Sequence, residues 1–273
     1  MPADPSRPPL DLARARAVLE QAARSAGRVL RERIDSIGAV RHKGIANIVT
    51  DVDVQSERVV RETILGAFPD HAILGEEGGL AAGASPRFRW IVDPLDGTTN
   101  YAAGFPFFCV SLGLEVDGAL TLGAVYDPLR DELFLAERGQ GAVLNGRPIH
   151  VSAVAELGQA LLATDFPYSR EVFPRAVAGV ELMSRQARAV RRAGSAALDL
   201  CYVACGRVDS YWEWVVYPWD LAAGALLVAE AGGMVTRLDG GPFSVDCGQV
   251  LASNGLIHSD LVAVLGPLAL GGD

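Results

Sequence analysis

The chain has 273 residues, 50% of them hydrophobic, which is enough to bury one large core or two modest ones. Its 24 basic and 33 acidic residues give a net charge of −9, and no run of Lys or Arg forms a polybasic patch. These features argue against a nucleic-acid surface. Every apolar run is interrupted before the roughly 18 residues of a membrane-spanning helix. We therefore expect a globular cytoplasmic protein with no nucleic-acid partner and no membrane span.

The first half of the chain is predicted to hold two helices followed by a meander of strands. Apolar residues at helical spacing predict a helix over residues 12–29, and Asp11 is a suitable N-terminal cap. A second helix is predicted over residues 54–68 and is closed by Pro69. Strands in an antiparallel meander are predicted at residues 89–92, 110–116, 119–126 and 133–138.

The second half of the chain alternates between strands and helices. The predicted order is a strand near residue 161, helices over 172–186 and 196–205, a strand over 210–216 and a helix from residue 220. Prolines and charges in residues 1–10 predict a disordered lead-in. Because no Pro-, Gly- or Ser-rich linker separates the halves, we expect one domain over residues 11–273. It is made of two α+β halves, about 11–150 and 151–273, that share one site.

An acidic, hydroxyl-rich turn with the sequence DPLDGTTN runs from Asp93 to Asn100. It follows three apolar residues, 90–92, so its carboxylates lie where a buried strand ends and a turn begins. Oxygen ligands at this spacing suit a hard divalent cation such as Mg²⁺. Asp-Pro and Asp-Gly are also common turn formers that need no metal. The turn alone leaves both interpretations open.

Two other segments place carboxylates at the ends of predicted elements. Glu76 lies in a glycine-rich loop that follows the short apolar run 72–74, and Asp220 opens the apolar stretch 221–231. Carboxylates from three separated segments are the arrangement expected of a site for several metal ions that is assembled by folding.

Five motifs resemble those of the inositol monophosphatase family. WIVDPLDGTTNYAAGFPFFCVSLGL is similar to its first signature and PWDLAAGALLVAEAGG to its second. The similarity continues through NIVTDVD, GEE and RAGSAALDLCYVACGRVDSYWE, so it covers roughly residues 11–265. The resemblance implies an α+β fold, the layered α/β/α/β/α sandwich of the inositol monophosphatase and fructose-1,6-bisphosphatase type. It also implies a Mg²⁺-dependent, lithium-sensitive phosphatase that forms a homodimer.

The resemblance further implies a ligand set for two or three Mg²⁺ ions per site. Asp93 is expected to bridge two metals, and Asp96 and Asp220 to hold the metal that faces the leaving group. Glu76 is expected to hold the metal that activates water. Leu95 is expected to contribute only its backbone carbonyl.

Thr98 and Asp53 are candidate catalytic residues beside Glu76. The Thr98 hydroxyl is expected to take a proton from the attacking water and relay it to Glu76, and capping of a helix that starts near residue 99 is the alternative. Asp53, in NIVTDVD, is similar to the family's additional carboxylate near the metals, with Lys43 as a nearby cation. A solvated surface charge is the alternative for Asp53 and Lys43.

A separate set of residues is predicted to bind the substrate. Its members are Gly97, Thr98, Gly194, Ser195, Ala196, Glu213 and Asp220. Free N–H groups at the start of a helix favour an anion or a hydroxyl, which suits the segments at residues 97–98 and 194–196. Glu213 lies in an otherwise aromatic strand, where a buried charge without a partner is costly. The resemblance implies that it accepts hydrogen bonds from inositol hydroxyls.

Three tryptophans, Trp212, Trp214 and Trp219, lie close to these motifs in sequence. Their faces could stack on a nucleobase or pack in a core or a dimer interface, and packing is the favoured interpretation.

Two classes of function are compatible with these features. The first is a phosphomonoesterase that acts on myo-inositol 1-phosphate, with adenosine 3′,5′-bisphosphate, fructose 1,6-bisphosphate and histidinol phosphate as alternative substrates. The second is a family member kept as an interaction protein for transcription or ribosome-assembly machinery. The complete set of predicted ligands favours catalysis, because a chain without a catalytic role would be free to lose them.

Overall fold

The computed structural model describes residues 10–42, 48–81, 83, 85–167 and 169–270. The predicted lead-in, except for its last residue, and Lys43 lie outside the described residues. The described helices are α1 (Leu12–Arg33), α2 (Asp51–Ala67), α3 (Thr98–Ala102), α4 (Phe173–Ser184), α5 (Ala196–Ala204), α6 (Pro218–Glu230) and α7 (His258–Leu270).

The described strands form two large sheets and one hairpin. The hairpin pairs β1 (Val40–His42) with β2 (Ile48–Thr50). The other strands are β3 (His71–Gly75), β4 (Gly79–Ala81), β5 (Ser85–Asp96), β6 (Cys109–Val116), β7 (Ala119–Asp127), β8 (Glu132–Glu137), β9 (Gly141–Leu144), β10 (Arg147–Pro148), β11 (Leu161–Thr164), β12 (Ala189–Arg191), β13 (Ser210–Trp214), β14 (Met234–Thr236) and β15 (Gln249–Ser253).

The larger sheet has eight strands in the order β10-β9-β8-β7-β6-β5-β3-β4. Its pairs are antiparallel except β3 with β5, which run parallel. The smaller sheet has the order β12-β11-β13-β15-β14, with β11 parallel to both of its neighbours. The predicted meander from residue 110 to residue 138 is confirmed as β6, β7 and β8.

Helices cover both faces of each sheet. Helices α1 and α2 pack on one face of the eight-stranded sheet, where Leu19, Val60 and Trp90 are fully buried. Helices α5 and α6 fill the space between the two sheets, and α4 and α7 cover the outer face of the smaller sheet. Each fully buried large apolar side chain stabilises the fold by about 1.5–3 kcal/mol. The result is the predicted α+β fold with an α/β/α/β/α order of layers.

Two helices begin earlier than the apolar pattern predicts, because capping side chains extend them. Helix α2 begins at Asp51 rather than at residue 54, and its first turn is closed by a capping box between Thr50 and Asp53. Helix α6 begins at Pro218 rather than at Asp220, and the Asp220 carboxylate accepts a hydrogen bond from the Tyr217 N–H at 2.8 Å. In both helices the acidic side chain folds back over the N-terminus.

Strand β5 is three times as long as its predicted core of four residues, because it continues through the acidic turn. Asp93 pairs with Ser111 and Asp96 pairs with Cys109, and a bulge lies between the two aspartates. A bulge re-aims the side chains of the strand that carries it. The carboxylates of DPLDG therefore extend from the end of a buried strand and not from a free loop.

Close packing fixes α6 against the eight-stranded sheet. A Cβ atom at Gly113 would lie 2.8 Å from the Ala222 Cβ, and one at Gly123 would lie 3.0 Å from the Ala223 carbonyl oxygen. The two glycines therefore allow α6 to approach β6 and β7 closely. Because Asp220 is in the first turn of this helix, the same contact positions its carboxylate.

The two sheets are built from consecutive parts of the chain, residues 71–148 and 161–253. The division into halves at residue 150 stays a prediction. Among the described helices, none combines the length and the apolar character needed to span a lipid bilayer.

Candidate active site

A cleft of about 220 Å³ brings together most of the residues that the sequence singles out. It is lined by Glu76, Asp93, Leu95, Asp96, Gly97, Thr98, Gly194, Ala196, Glu213 and Asp220. The cleft lies where β5 ends and where α3, α5 and α6 begin. Helix N-termini that meet at one point favour a negatively charged ligand.

Parallel pairing of β3 with β5 explains why Glu76 meets the DPLDG turn. In this pairing Gly75 lies opposite Val92, so the residues that follow both strands leave the sheet at the same edge. The Glu76 N–H donates a hydrogen bond to the Val92 carbonyl at 3.1 Å. Glu76 is thereby held beside Asp93 at the mouth of the cleft.

Three aspartates form the acidic centre of the cleft. One carboxylate oxygen each from Asp93, Asp96 and Asp220 lies within 4.8 Å of the others. Burial raises the pKa of Asp93 well above its usual value, and the charges of Glu76, Asp96 and Asp220 raise it further. Burial also raises the pKa of Asp96 to about 6. The three carboxylates are therefore strongly destabilised as anions unless a cation joins them.

This donor set fits Mg²⁺. In the described part of the chain, no Lys, Arg or His forms an ion pair with Asp93, Asp96 or Asp220. The available ligands are carboxylate and carbonyl oxygens, which hard divalent cations prefer. A divalent cation would supply the positive charge that these buried carboxylates lack.

Asp96 is oriented by the N-terminus of α5. Its Oδ2 accepts hydrogen bonds from the Ser195 hydroxyl at 2.6 Å and from the Ala197 N–H at 2.8 Å. The same hydroxyl caps α5 by accepting from the Leu198 N–H at 3.4 Å. The Ser195 side chain is buried, does not line the cleft and holds Asp96, and the predicted role of its helix N-terminus in substrate binding stays a prediction.

Thr98 and Asp53 form a hydrogen-bonded pair beside the aspartates. The Thr98 hydroxyl lies 2.9 Å from Asp53 Oδ1 and 3.0 Å from the Leu95 carbonyl oxygen. The other oxygen of Asp53 accepts from the Thr50 N–H at 2.8 Å and from the Thr50 hydroxyl at 2.5 Å. Burial raises the pKa of Asp53, although these hydrogen bonds act in the opposite direction.

The hydrogen bond gives Thr98 a partner that the sequence did not predict. The Thr98 hydroxyl donates to Asp53, whereas the relay to Glu76 stays a prediction, and Asp53 is completely buried rather than a solvated surface charge. The alternative in which Thr98 caps a helix is also excluded, because Gly97 is the N-cap of α3 and makes no side-chain cap.

Asn100 joins the two segments that are predicted to bind phosphate and hydroxyl groups. Its side-chain amide donates to the Phe107 carbonyl at 2.7 Å and to the Ala193 carbonyl at 2.8 Å. Gly97 and Gly194 both have positive φ, +94° and +88°, a conformation that suits glycine. A Cβ atom at Gly97 would lie 3.2 Å from the Gly194 carbonyl oxygen, so the backbone at the two glycines is fixed side by side at the cleft.

Among the described residues, two more carboxylates and one cation line the cleft. Glu213 is buried and accepts a hydrogen bond from the Tyr211 hydroxyl, and burial raises the pKa of Glu213 well above its usual value. Asp165 and Arg192 also line the cleft and form an ion pair at 2.8 Å. This pair is not among the residues predicted from the sequence, although Arg192 opens one of the motifs and residue 165 follows a predicted strand.

The three tryptophans divide between the core and the cleft. Trp212 and Trp214 are 0% and 5% exposed and pack with α4 and α7, so the core interpretation is confirmed for them. Trp219 lines the cleft and stacks on Tyr217, with ring centroids 5.1 Å apart.

Comparison with known proteins shows the family to which this chain is related. The model of the inositol monophosphatase family matches residues 11–266. The chain belongs to this family. A relative from Synechocystis sp. named inositol-1-monophosphatase is 46% identical over 228 residues, which are 83% of this chain and 79% of the relative. The structure of an inositol monophosphatase from Anabaena (Nostoc) sp. superposes with a TM-score of 0.85 at 44% identity, and covers 94% of this chain and 96% of that chain.

A third relative carries a different kind of name. The Nus factor SuhB of Vibrio cholerae is 41% identical over 237 residues, 86% of this chain and 89% of the relative. Membership of the inositol monophosphatase family identifies this protein as a phosphatase, and the fold agrees with that of the solved family structures.

Proposed function

We propose that this phosphatase hydrolyses myo-inositol 1-phosphate to inositol and phosphate with two or three Mg²⁺ ions. The ligands are Glu76, Asp93, Asp96, Asp220 and the Leu95 carbonyl. The observation that carries the proposal is the cluster of three aspartates within 4.8 Å, two of them buried and one half-buried, beside a Thr98–Asp53 pair. When bound, Mg²⁺ would neutralise the phosphate dianion, lower the pKa of water and stabilise the departing alkoxide.

The side chains of the cleft provide the remaining steps. Thr98 can accept a hydrogen bond from the attacking water while its own proton points to Asp53 Oδ1 at 2.9 Å. Asp53 is held by Thr50 and has one oxygen left for this proton. The N–H groups of Gly97 and Thr98 lie at the start of α3, where they can hold the phosphate. The Thr98–Asp53 pair thus orients the attacking water, and the N-terminus of α3 orients the phosphate.

A second group of cleft residues suits the polyol part of the substrate. Glu213 lines the cleft as a hydrogen-bond acceptor, and Gly194 and Ala196 line it at the start of α5. Vicinal hydroxyls of the substrate can donate to Glu213 and accept from the N–H groups at residues 194 and 196. Asp165 also lines the cleft, where it forms an ion pair with Arg192.

Replacement of Glu213 by Ala is expected to lower kcat/KM for inositol 1-phosphate roughly ten- to a hundredfold, because a charged hydrogen-bond partner contributes about 1–3 kcal/mol. A simple aryl phosphate has no polyol hydroxyls and should be hydrolysed almost as before. The measurement is kcat/KM for both substrates with the wild type and Glu213→Ala. Equal loss on both substrates would assign Glu213 to the fold or the metals, and no loss on either would place the polyol elsewhere.

Lithium is expected to inhibit the enzyme uncompetitively with respect to substrate. The clustered carboxylates of Asp93, Asp96 and Asp220 can hold a small monovalent cation beside the product phosphate once a divalent cation has left. Steady-state rates over a range of substrate and LiCl concentrations test this, with KCl at equal ionic strength as the control. Full activity in tens of millimolar LiCl would remove the protein from the lithium-sensitive group and leave the phosphatase assignment intact.

A substrate panel measured with and without Mg²⁺ tests the whole proposal. Its members are myo-inositol 1-phosphate, adenosine 3′,5′-bisphosphate, fructose 1,6-bisphosphate and histidinol phosphate. We expect Mg²⁺-dependent phosphate release with the highest kcat/KM on the inositol ester. A higher value on the adenosine substrate would point to Trp219, an aromatic ring that lines the cleft.

An interaction role is a second candidate, favoured by the Nus factor name of the Vibrio cholerae relative. The net charge of −9 favours a protein partner over direct contact with nucleic acid. Absence of phosphate release from every member of the substrate panel, with Mg²⁺ present, would favour this role. We also propose, from the family resemblance, a homodimer in the cytoplasm, and sedimentation of the purified protein would test the dimer.

A further inference from the structure

One buried carboxylate close to the cleft has no part in the chemistry described above. Glu57, on α2, is 3% exposed and does not line the cleft. Its Oε2 accepts a hydrogen bond from the Glu77 N–H at 2.9 Å, and its Oε1 accepts from the Gly78 N–H at 2.9 Å. Arg61, one helical turn later, donates to Oε1 at 3.2 Å. The carboxylate therefore bridges two successive backbone N–H groups of the turn between β3 and β4.

That turn carries Glu76, and its sequence GEEGG fits the carboxylate of Glu57. A Cβ atom at Gly75 would lie 2.6 Å from Glu57 Oε2, and one at Gly78 would lie 2.5 Å from Oε1. Neither glycine has a positive φ, so backbone conformation does not require glycine at these positions. The requirement is space, because the turn closes directly over Glu57.

Helix α2 makes similar contacts with the other segments of the metal site. Asp53, four residues before Glu57 and on the same helix face, contacts Thr98. The Ser56 hydroxyl donates to the Pro94 carbonyl at 2.8 Å, between the ligands Asp93 and Leu95. One turn of α2 thus contacts both acidic segments.

We infer that Glu57 is a positioning residue that fixes the Glu76 turn against the DPLDG turn and thereby sets the affinity of the site for Mg²⁺. The inference rests on the proposed function, because it takes Glu76 as a metal ligand. Groups that orient a metal ligand through a hydrogen bond typically change metal affinity 10- to 100-fold when they are replaced. Glu57 acts on the ligand through the backbone of residues 77 and 78.

The test variant is Glu57→Gln, which keeps the size of the side chain. Its oxygen can accept from one N–H of the turn, but its NH₂ group then faces the other N–H, donor against donor. We expect the dissociation constant for Mg²⁺ to rise about 10- to 100-fold in calorimetric titrations without substrate. Amide hydrogen exchange at Glu77 and Gly78 should become faster, because a hydrogen-bonded amide beside a buried group is protected.

The matched control is Glu62→Gln, on the same helix but with a side chain that is 70% exposed. It should leave both the Mg²⁺ affinity and the two exchange rates unchanged. An equal Mg²⁺ affinity in Glu57→Gln and Glu62→Gln would overturn the inference. Weaker Mg²⁺ binding in Glu57→Gln with unchanged amide exchange at residues 77 and 78 would overturn it as well, because Glu57 would then not act on the metal site through this turn.

A second variant covers the case in which Glu57→Gln does not fold. Gly78→Ala keeps the carboxylate but places a methyl group against it, so the turn must move away. It should weaken Mg²⁺ binding in the same direction, whereas Gly66→Ala, whose Cβ meets nothing within 4 Å, should not. Wild-type Mg²⁺ affinity in Gly78→Ala would count against the inference.

Glu76→Gln separates this inference from the proposed function. Weaker Mg²⁺ binding in Glu76→Gln together with unchanged binding in Glu57→Gln would overturn the role of Glu57 alone. Unchanged binding in Glu76→Gln would overturn the ligand assignment, and the inference with it.

Discussion

Asp93→Asn is expected to lower kcat at least about a thousandfold at saturating Mg²⁺, since a metal cluster contributes several kcal/mol of transition-state stabilisation. Asp93 is 1% exposed, and its carboxylate lies within 4.8 Å of those of Asp96 and Asp220. Its replacement removes one of the charges that hold the metals together. Asp220→Asn should behave in the same way. The measurement is kcat at several Mg²⁺ concentrations, up to saturation.

The same variant should show a reversal in thermal stability. Without Mg²⁺, Asp93→Asn should melt above the wild type, because it removes a carboxylate whose pKa is raised by burial and by the charges of Glu76, Asp96 and Asp220. Each kcal/mol added to the free energy of unfolding raises the melting temperature by about 2–4 °C in a chain of this size. With Mg²⁺ the order should reverse, because only the intact site is stabilised by tight binding.

The control for this prediction is Asp246→Asn, whose side chain is 60% exposed. It should change neither kcat nor the dependence of the melting temperature on Mg²⁺. Two results would contradict the assignment of Asp93. One is near-wild-type turnover at saturating Mg²⁺, and the other is a melting order that is the same with and without the ion.

The parts of the fold that follow local patterns could be predicted from the sequence. The Ala- and Leu-rich stripe of α1, the apolar strands β6 to β8 between turn signals and the apolar run of α5 each match a local pattern of residues. Strand β5 was predicted too short, because Pro94 and Gly97 are turn signals. Its continuation depends on pairing with β6, and tertiary pairing overrides a local signal.

The identity of the site residues could be predicted better than their contacts. Asp93, Asp96 and Asp220 were recognised from their motifs, and they do meet in the cleft. The hydrogen bond from Thr98 to Asp53 was not predicted, because Asp53 is 45 residues away in sequence and only the packing of α2 brings it near. The hydrogen bond from Ser195 to Asp96 spans 99 residues in the same way. Such contacts depend on tertiary packing, which local spacing does not encode.

Asp53→Asn and Thr98→Val are each expected to lower kcat about 10²- to 10⁴-fold, the range typical of a general base. An asparagine held by Thr50 would turn its NH₂ group toward Thr98 and could no longer take the hydroxyl proton. Thr98→Val removes the hydroxyl and keeps the shape. Neither side chain belongs to the proposed metal ligands, so the loss should remain when kcat is measured at saturating Mg²⁺.

The double variant decides whether the two residues act on one proton. If Thr98 passes the proton to Asp53, the variant that combines Asp53→Asn with Thr98→Val should be as active as the less active of the two single variants. The effects of residues that act as a unit are not additive. Thr98→Ser keeps the hydroxyl 2.9 Å from Asp53 and should retain most of the activity. Asp53 also closes the capping box of α2, so melting temperatures must accompany the rates. Additive losses, or a serine variant no more active than the valine variant, would show that the pair does not carry the proton and that Asp53 serves the helix alone.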